Sequence, residues 1–255
     1  LTGGGGVFYW LLKYVLAGPL LRVLFPAEVT GTENLPKRGP AVLVGNHLSV
    51  IDSIFMPLYV PHRPVHFLAK SDYFTGRGLR GWVVRRFMKG TGQLSIDRSG
   101  GKASEASLNT GLKVLAEGKL LALYPEGTRS PDGDLHRGRT GVARTILAAQ
   151  VPVIPAVVVG TDKMLPIGSR RLHRVPIAIR FGAPLDFSRF TGLEGDRFVL
   201  RSITDEIMIE IQRLSGQRYS DVYGSVLRAK KARDERAVDA DTEQHTASTD
   251  LENHS

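Results

Sequence analysis

Cysteine is absent from the 255 residues, which excludes disulfides, thiolate-ligated zinc and any group carried on the protein's own thiol. No G-x-S-x-G occurs, so the strand–turn–helix that presents a serine nucleophile has no candidate here. Gly100-Gly101-Lys102-Ala103 lacks both the spacing and the Ser/Thr of a phosphate-binding P-loop. There is no H-x-H pair, and Asp134-Leu135-His136, the one D-x-H, falls in a polar stretch expected to be exposed. A metal-dependent phosphoesterase would therefore have to draw its ligands from His47, Asp52 and Glu126, a thin set for a dinuclear site. No helix-turn-helix or RNP-type signature is evident, although a basic membrane- or nucleic-acid-binding protein stays open on charge alone.

Acidic residues are outnumbered, and the net charge is +9. Residues 229–255 carry four Lys/Arg against seven Asp/Glu, a balance of −3, which leaves +12 on residues 1–228. Such an excess attracts anions, whether nucleic acid, anionic lipid headgroups or phosphorylated substrates. The acidic, Ser/Thr-rich end lacks aromatics and reads as a polar, disordered tail over 229–255. The 42% of hydrophobic residues is enough to fill a sizeable core in the remainder.

The start, Leu1 followed by Gly3 to Gly6, reads as a trimmed terminus without structural meaning. Val7 to Phe25 is an apolar run whose only charges are Lys13 and Arg22. It is borderline for a bilayer span, which takes about 20 apolar residues. Gly18-Pro19 in its second half predicts two short helices, roughly 8–17 and 19–25, because proline breaks a helix interior. Aromatic rings and long cationic stems among Leu and Val suit the headgroup boundary. The expectation is an interfacial anchor over 1–26; packing on the domain's own core is the alternative.

From Pro40 to Pro184 short apolar runs alternate with helical patterns. Candidate strands are Ala41–Gly45, Val65–Ala69, Leu94–Ile96, Leu120–Tyr124, Val153–Val159 and Pro176–Phe181. Candidate helices are Asp52–Tyr59, Leu79–Met88, Lys102–Glu117 and Gly138–Ala149, with a further one-faced helix over Phe198–Leu214. This order predicts an α/β domain over 27–228, with a largely parallel central sheet flanked by helices.

In such sheets functional groups collect where strands end. Gly45-Asn46-His47-Leu48-Ser49-Val50-Ile51-Asp52 leaves the first of these strands. On a continuous helix five residues turn through about 140°, so His47 and Asp52 can meet only across a strand-to-helix turn. If they do, Asp52 holds one imidazole nitrogen and leaves the other free as a general base for a hydroxyl. Taken alone, the pair is as compatible with capping or packing. Tyr124-Pro125-Glu126-Gly127-Thr128-Arg129-Ser130 leaves another strand, and its arginine suits a bidentate grip on phosphate. A surface turn with a solvated ion pair would look the same. Gly92-Gln93-Leu94-Ser95-Ile96-Asp97-Arg98 ends a third strand, and Lys70 ends a fourth. Together the strands deliver a His–Asp pair and the cations Lys70, Arg98 and Arg129 at one type of end, which suits transfer to a phosphorylated alcohol.

The order and wording of these clusters resemble the glycerolipid acyltransferases of the lysophosphatidic acid acyltransferase type. Asn46 to Asp52 fits their N-H-x-S-x-x-D throughout; Gly92 to Arg98 fits a glycine followed by a strand ending Asp-Arg. Pro125 to Ser130 fits F-P-E-G-T-R-S with Tyr124 in place of Phe, and Val151-Pro152-Val153-Ile154-Pro155-Ala156 fits an apolar stretch with a central proline. The likeness covers about residues 28–215. It implies that His47 is the general base and Asp52 its orienting partner. It also implies that Lys70, Arg98, Glu126, Gly127, Thr128 and Arg129 form the phosphate-binding surface of the acceptor site, with Pro155 a wall of the acyl site. No cofactor or metal is implied. Implied partners are acyl-CoA or acyl carrier protein, a lysophosphatidate-like acceptor and a membrane surface, with no nucleic acid. The reaction would be esterification of 1-acyl-glycerol 3-phosphate by direct transfer. Glycerol 3-phosphate or another lysophospholipid fits the same motifs. The lack of cysteine and of a cleavable leader before Pro26 places the expected site on the cytoplasmic side of the cell membrane, peripheral or monotopic. A neutral His47 is required, so activity should fall in acid.

Overall fold

The computed structural model describes residues 6–71, 75–96 and 103–234. Seven strands form the central sheet: β1 (Ala27–Thr30), β2 (Ala41–Val44), β3 (Val65–Lys70), β4 (Gln93–Ile96), β5 (Leu120–Leu123), β7 (Val153–Val159) and β8 (Ile177–Phe181). Their spatial order is β1-β8-β7-β2-β5-β3-β4, and every pairing is parallel except β7 with β8. A two-stranded ribbon joins β6 (Leu135–His136) to β9 (Tyr219–Ser220).

The central strands are apolar at consecutive positions because both faces of the sheet are covered. Ala41 and Leu43 of β2 join a core with Ile51, Phe55 and Met56 of the turn and helix α3 (Asp52–Tyr59). Val42 and Val44 face the opposite core. That core is built with α5 (Ala103–Ala116), α6 (Gly141–Ala149) and α8 (Arg197–Ser215). In α8 the i, i+4 isoleucines Ile203, Ile207 and Ile211 are fully buried, as the one-sided pattern predicts. Asp196 caps its first turn, accepting from the N–H groups of Phe198 and Val199. Between β3 and β4 lies α4 (Gly78–Gly90), after β7 the short α7 (Thr161–Met164), and a further helix runs over 224–234.

The N-terminal run folds as two helices, α1 (Gly6–Tyr14) and α2 (Ala17–Leu24), but the break comes earlier than expected. Pro19 sits in the first turn of α2, where a missing N–H costs nothing, so it starts this helix rather than ending its predecessor. A side chain at Gly18 would collide with the Lys13 carbonyl, so glycine sets how closely the two helices meet. Lys13 Nζ donates to the Val60 carbonyl and Arg22 to the Leu58 carbonyl at 2.7 Å, which pins the pair to the end of α3. Much of the rest of the pair is apolar and exposed, including Val7, Leu11, Leu20 and Val23, as is Val15 in the turn between them. Gly6–Leu24 is the one segment among the described residues long and apolar enough to cross a membrane.

β1 was not among the expected strands. With four residues and a glutamate in alternation, it carries almost no apolar signal, and it forms by pairing along the edge of β8. Of the polar end expected over 229–255, residues 235–255 lie outside the described residues.

Candidate active site

β2 and β5 are parallel neighbours in register, Val44 beside Leu123, so the turns that follow them emerge side by side. A Cβ at Gly45 would lie 2.1 Å from the Ala156 carbonyl oxygen, so only glycine allows β7 to approach there. Asn46 then prolongs the β2–β7 ladder with its side chain. Its amide donates to Val158 O at 2.9 Å and its Oδ1 accepts from Val158 N at 3.0 Å.

The chain turns sharply after Asn46, and the turn brings together the two residues that a continuous helix would have kept apart. His47 Nδ1 lies 3.0 Å from Asp52 Oδ2. The same oxygen accepts from the backbone N–H groups of Leu48 at 2.7 Å and Ser49 at 2.8 Å. Thr161, at the exit of β7, donates its hydroxyl to Asp52 Oδ1 at 2.5 Å. Asp52 is 0% exposed, whereas the His47 side chain keeps 18%. A carboxylate only accepts, so Nδ1 carries the ring proton and Nε2 presents a lone pair with no partner among the described residues. The His47 ring is stacked on Tyr124 at a centroid distance of 4.0 Å and an interplanar angle of 6°. The Tyr124 hydroxyl, in turn, lies 3.2 Å from Ser53 Oγ. Burial first and the Asp52 charge second hold that phenol well above its usual range.

Glu126 braces the second turn to the first. It is 1% exposed and accepts from His47 N at 3.2 Å and His136 N at 3.0 Å. Ser130 N donates to His47 O at 2.7 Å, completing a second link. Burial raises the Glu126 carboxyl to about 7, against the pull of those two N–H groups. Gly127 takes a left-handed φ of 70° in this turn, and the Arg139 stem packs where a side chain would stand. Thr128 accepts from Arg228 of the C-terminal helix at 2.6 Å. Arg129, half-buried, forms no ion pair among the described residues.

The remaining expected residues are dispersed. Lys70 ends β3, across β5 from β2. Arg98 lies outside the described residues. Pro155 is buried in β7 beside Val44, its ring against Gly182. His136 is a correction. It was expected in an exposed loop, yet it is fully buried in β6, with Nε2 2.8 Å from Asp132 Oδ1. Pairing with β9, 84 residues further along the chain, buries it, and no local pattern announces that. Sequence reading also missed Thr161, Arg139 and Arg228; the first stands alone at a strand exit and the others reach the site from distant chain positions. Among the described residues no three His, Asp or Glu side chains converge as a metal site would require.

The arrangement can take a proton from a hydroxyl at Nε2 and shelter the resulting imidazolium against a buried carboxylate. A solved structure shares the fold. A crystal structure of the 1-acyl-sn-glycerophosphate (LPA) acyltransferase PlsC from Thermotoga maritima superposes with a TM-score of 0.62 at 24% identity, covering 87% of this chain and 86% of that one. The 1-acyl-sn-glycerol-3-phosphate acyltransferase of Limnanthes alba is 28% identical over 198 residues, 76% of this chain and 63% of that protein. The chain thus spans less than two thirds of that relative's length. A protein of the same name from Bacillus subtilis (strain 168) is 26% identical over 191 residues, 74% of this chain and 88% of its own. The acyltransferase family model matches residues 26–159, from the entry of β1 to the end of β7 and so across both turns, and the chain belongs to that family.

Proposed function

We propose that the protein transfers a fatty acyl group from an acyl thioester to the free hydroxyl of 1-acyl-glycerol 3-phosphate, giving phosphatidic acid. The observation that carries this is the His47–Asp52 pair, locked by backbone N–H groups and braced against the Glu126–Arg129 turn. Nε2 of His47 removes the hydroxyl proton as the oxygen attacks the thioester carbonyl. The tetrahedral intermediate collapses with loss of the thiolate, which takes the proton back from the imidazolium. Asp52 keeps the ring in the required tautomer and stabilises its charged form. Arg129, together with Lys70 and Arg98, holds the acceptor phosphate, and Glu126 and Gly127 shape the turn that presents Thr128 and Arg129. Pro155 forms part of the acyl-site wall. The donor is acyl-CoA or acyl carrier protein. The exposed apolar surface of α1 and α2 lies on the cytoplasmic surface of the membrane, where a lysophospholipid acceptor resides.

The test follows thiol release from palmitoyl-CoA and oleoyl-CoA with lysophosphatidate or glycerol 3-phosphate as acceptor. Lysophosphatidate-dependent release that His47→Ala lowers by roughly 10²–10⁴-fold is expected. A preference for glycerol 3-phosphate would move the enzyme one acylation earlier. Equal release by wild type and His47→Ala would remove His47 from the chemistry.

A further inference from the structure

The loop between α7 and β8 leaves the sheet at the active-site end, because β7 delivers it and β8 returns antiparallel. Ser49 of the catalytic turn donates to Leu165 O at 3.1 Å, so the loop begins against the His47–Asp52 turn. It ends at the start of β8, where Ile177 pairs with Ala27 just after α2. Leu165 and Val175 at its base pack on the same core cluster as Phe25. The loop therefore bridges the catalytic turn and the exit of the exposed apolar helices.

Its backbone is self-contained. His173 N donates to Met164 O at 2.8 Å and closes the base, while Ser169 N donates to Pro166 O at 3.0 Å across a turn. Gly168 takes a φ of 85° there, and the Ser169 hydroxyl accepts from Arg171 N at 3.1 Å. What the loop holds outward is different in kind. Arg170, Arg171 and Arg174 are exposed, and none has a carboxylate partner among the described residues. Ile167 is 46% and Leu172 50% exposed, apolar side chains set among those cations. Hydrogen bonds fix the shape of this loop, while its cations and its large apolar groups are left without intramolecular use.

We infer that residues 165–174 form a second membrane contact, distinct from α1 and α2, that docks on anionic phospholipid at the rim of the active site. The arginines meet headgroup phosphates, and Ile167 and Leu172 enter the boundary below them. With α2 on one side and the catalytic turn on the other, this contact holds the site against the surface from which a lipid acceptor enters. The inference rests on the membrane-surface reading above, and vesicle binding tests it without turnover.

The full chain and an Arg170→Gln/Arg171→Gln/Arg174→Gln variant are to be compared by flotation with phosphatidylcholine vesicles, with and without phosphatidylglycerol. At about 1 kcal/mol per basic residue at an anionic surface, three arginines predict a roughly 100-fold weaker partition to the anionic vesicles and little change on the neutral ones. Ile167→Ser/Leu172→Ser should weaken binding several-fold to both. An unchanged thermal midpoint confirms that the variants fold. Wild type that binds neither vesicle overturns the membrane reading and this contact together. Wild type that binds, with both variants indistinguishable from it, overturns this contact alone.

Discussion

Two carboxylates stand at the same end of adjacent parallel strands, both sealed from solvent, and they hold different things. Asp52 holds a side chain: its four hydrogen bonds come from the His47 ring, two turn N–H groups and the Thr161 hydroxyl. Glu126 holds backbone only, one N–H from each of two segments, His47 and His136. Burial costs a charged group dearly unless hydrogen bonds replace water. With two such bonds the Glu126 carboxyl is pushed up to about 7. The contrast separates a group built to aim an imidazole from one built to clamp two turns together.

Among changes to the two carboxylates and their donors, the largest effect should come from Asp52→Asn. The Leu48 and Ser49 N–H groups select one orientation of the new amide, with its oxygen in the place of Oδ2. His47 Nδ1 then keeps its acceptor, but no negative charge faces the imidazolium. With the fold retained, kcat should fall by roughly 10²–10³-fold with the acceptor KM nearly unchanged. A rise in KM alone would place Asp52 in binding and erase the contrast with Glu126.

Glu126→Gln sharpens the other half. A carboxyl raised to about 7 from 4.5 binds more protons folded than unfolded between those values. Its contribution to stability is therefore intact below pH 4.5 and lost as the pH rises towards 7. The loss is about 3 kcal/mol. The glutamine variant lacks this slope, so its stability relative to wild type should improve by that amount between pH 4.5 and 7 and stay level above. Denaturant unfolding of both proteins at several pH values measures it. A level difference throughout would mean that the clamp ionises as an ordinary glutamate.

Most of the frame behind this contrast is legible in the sequence, and for a stated reason. Strands buried on both faces announce themselves as apolar runs, so β2, β5 and β7 are visible. The turn between His47 and Asp52 is visible because a helix forbids the contact that the chemistry needs. β1 is not, since an edge strand of Ala-Glu-Val-Thr is stabilised by its neighbour and not by its own pattern. Nor is the burial of His136, which depends on a ribbon closed by residues 219–220. Groups that act through long-range placement leave no local spacing. Arg228 reaches Thr128 across 100 residues, and Thr161 reaches Asp52 across 109.

Thr161→Val gives the smallest effect and the finest test. Valine has the same shape without the hydroxyl, so it removes one donor from Asp52 Oδ1 and leaves the three on Oδ2 untouched. A hydrogen bond to a charged, buried acceptor is worth about 1.5–3 kcal/mol, which should appear as lost unfolding stability. The aim of the imidazole depends on Oδ2, so kcat should fall less than tenfold. A stability loss with near-normal turnover would assign Thr161 to sustaining the buried carboxylate. A loss of turnover as deep as that of Asp52→Asn would mean that the carboxylate rotates once released, and that the threonine at the exit of β7 aims the histidine through it.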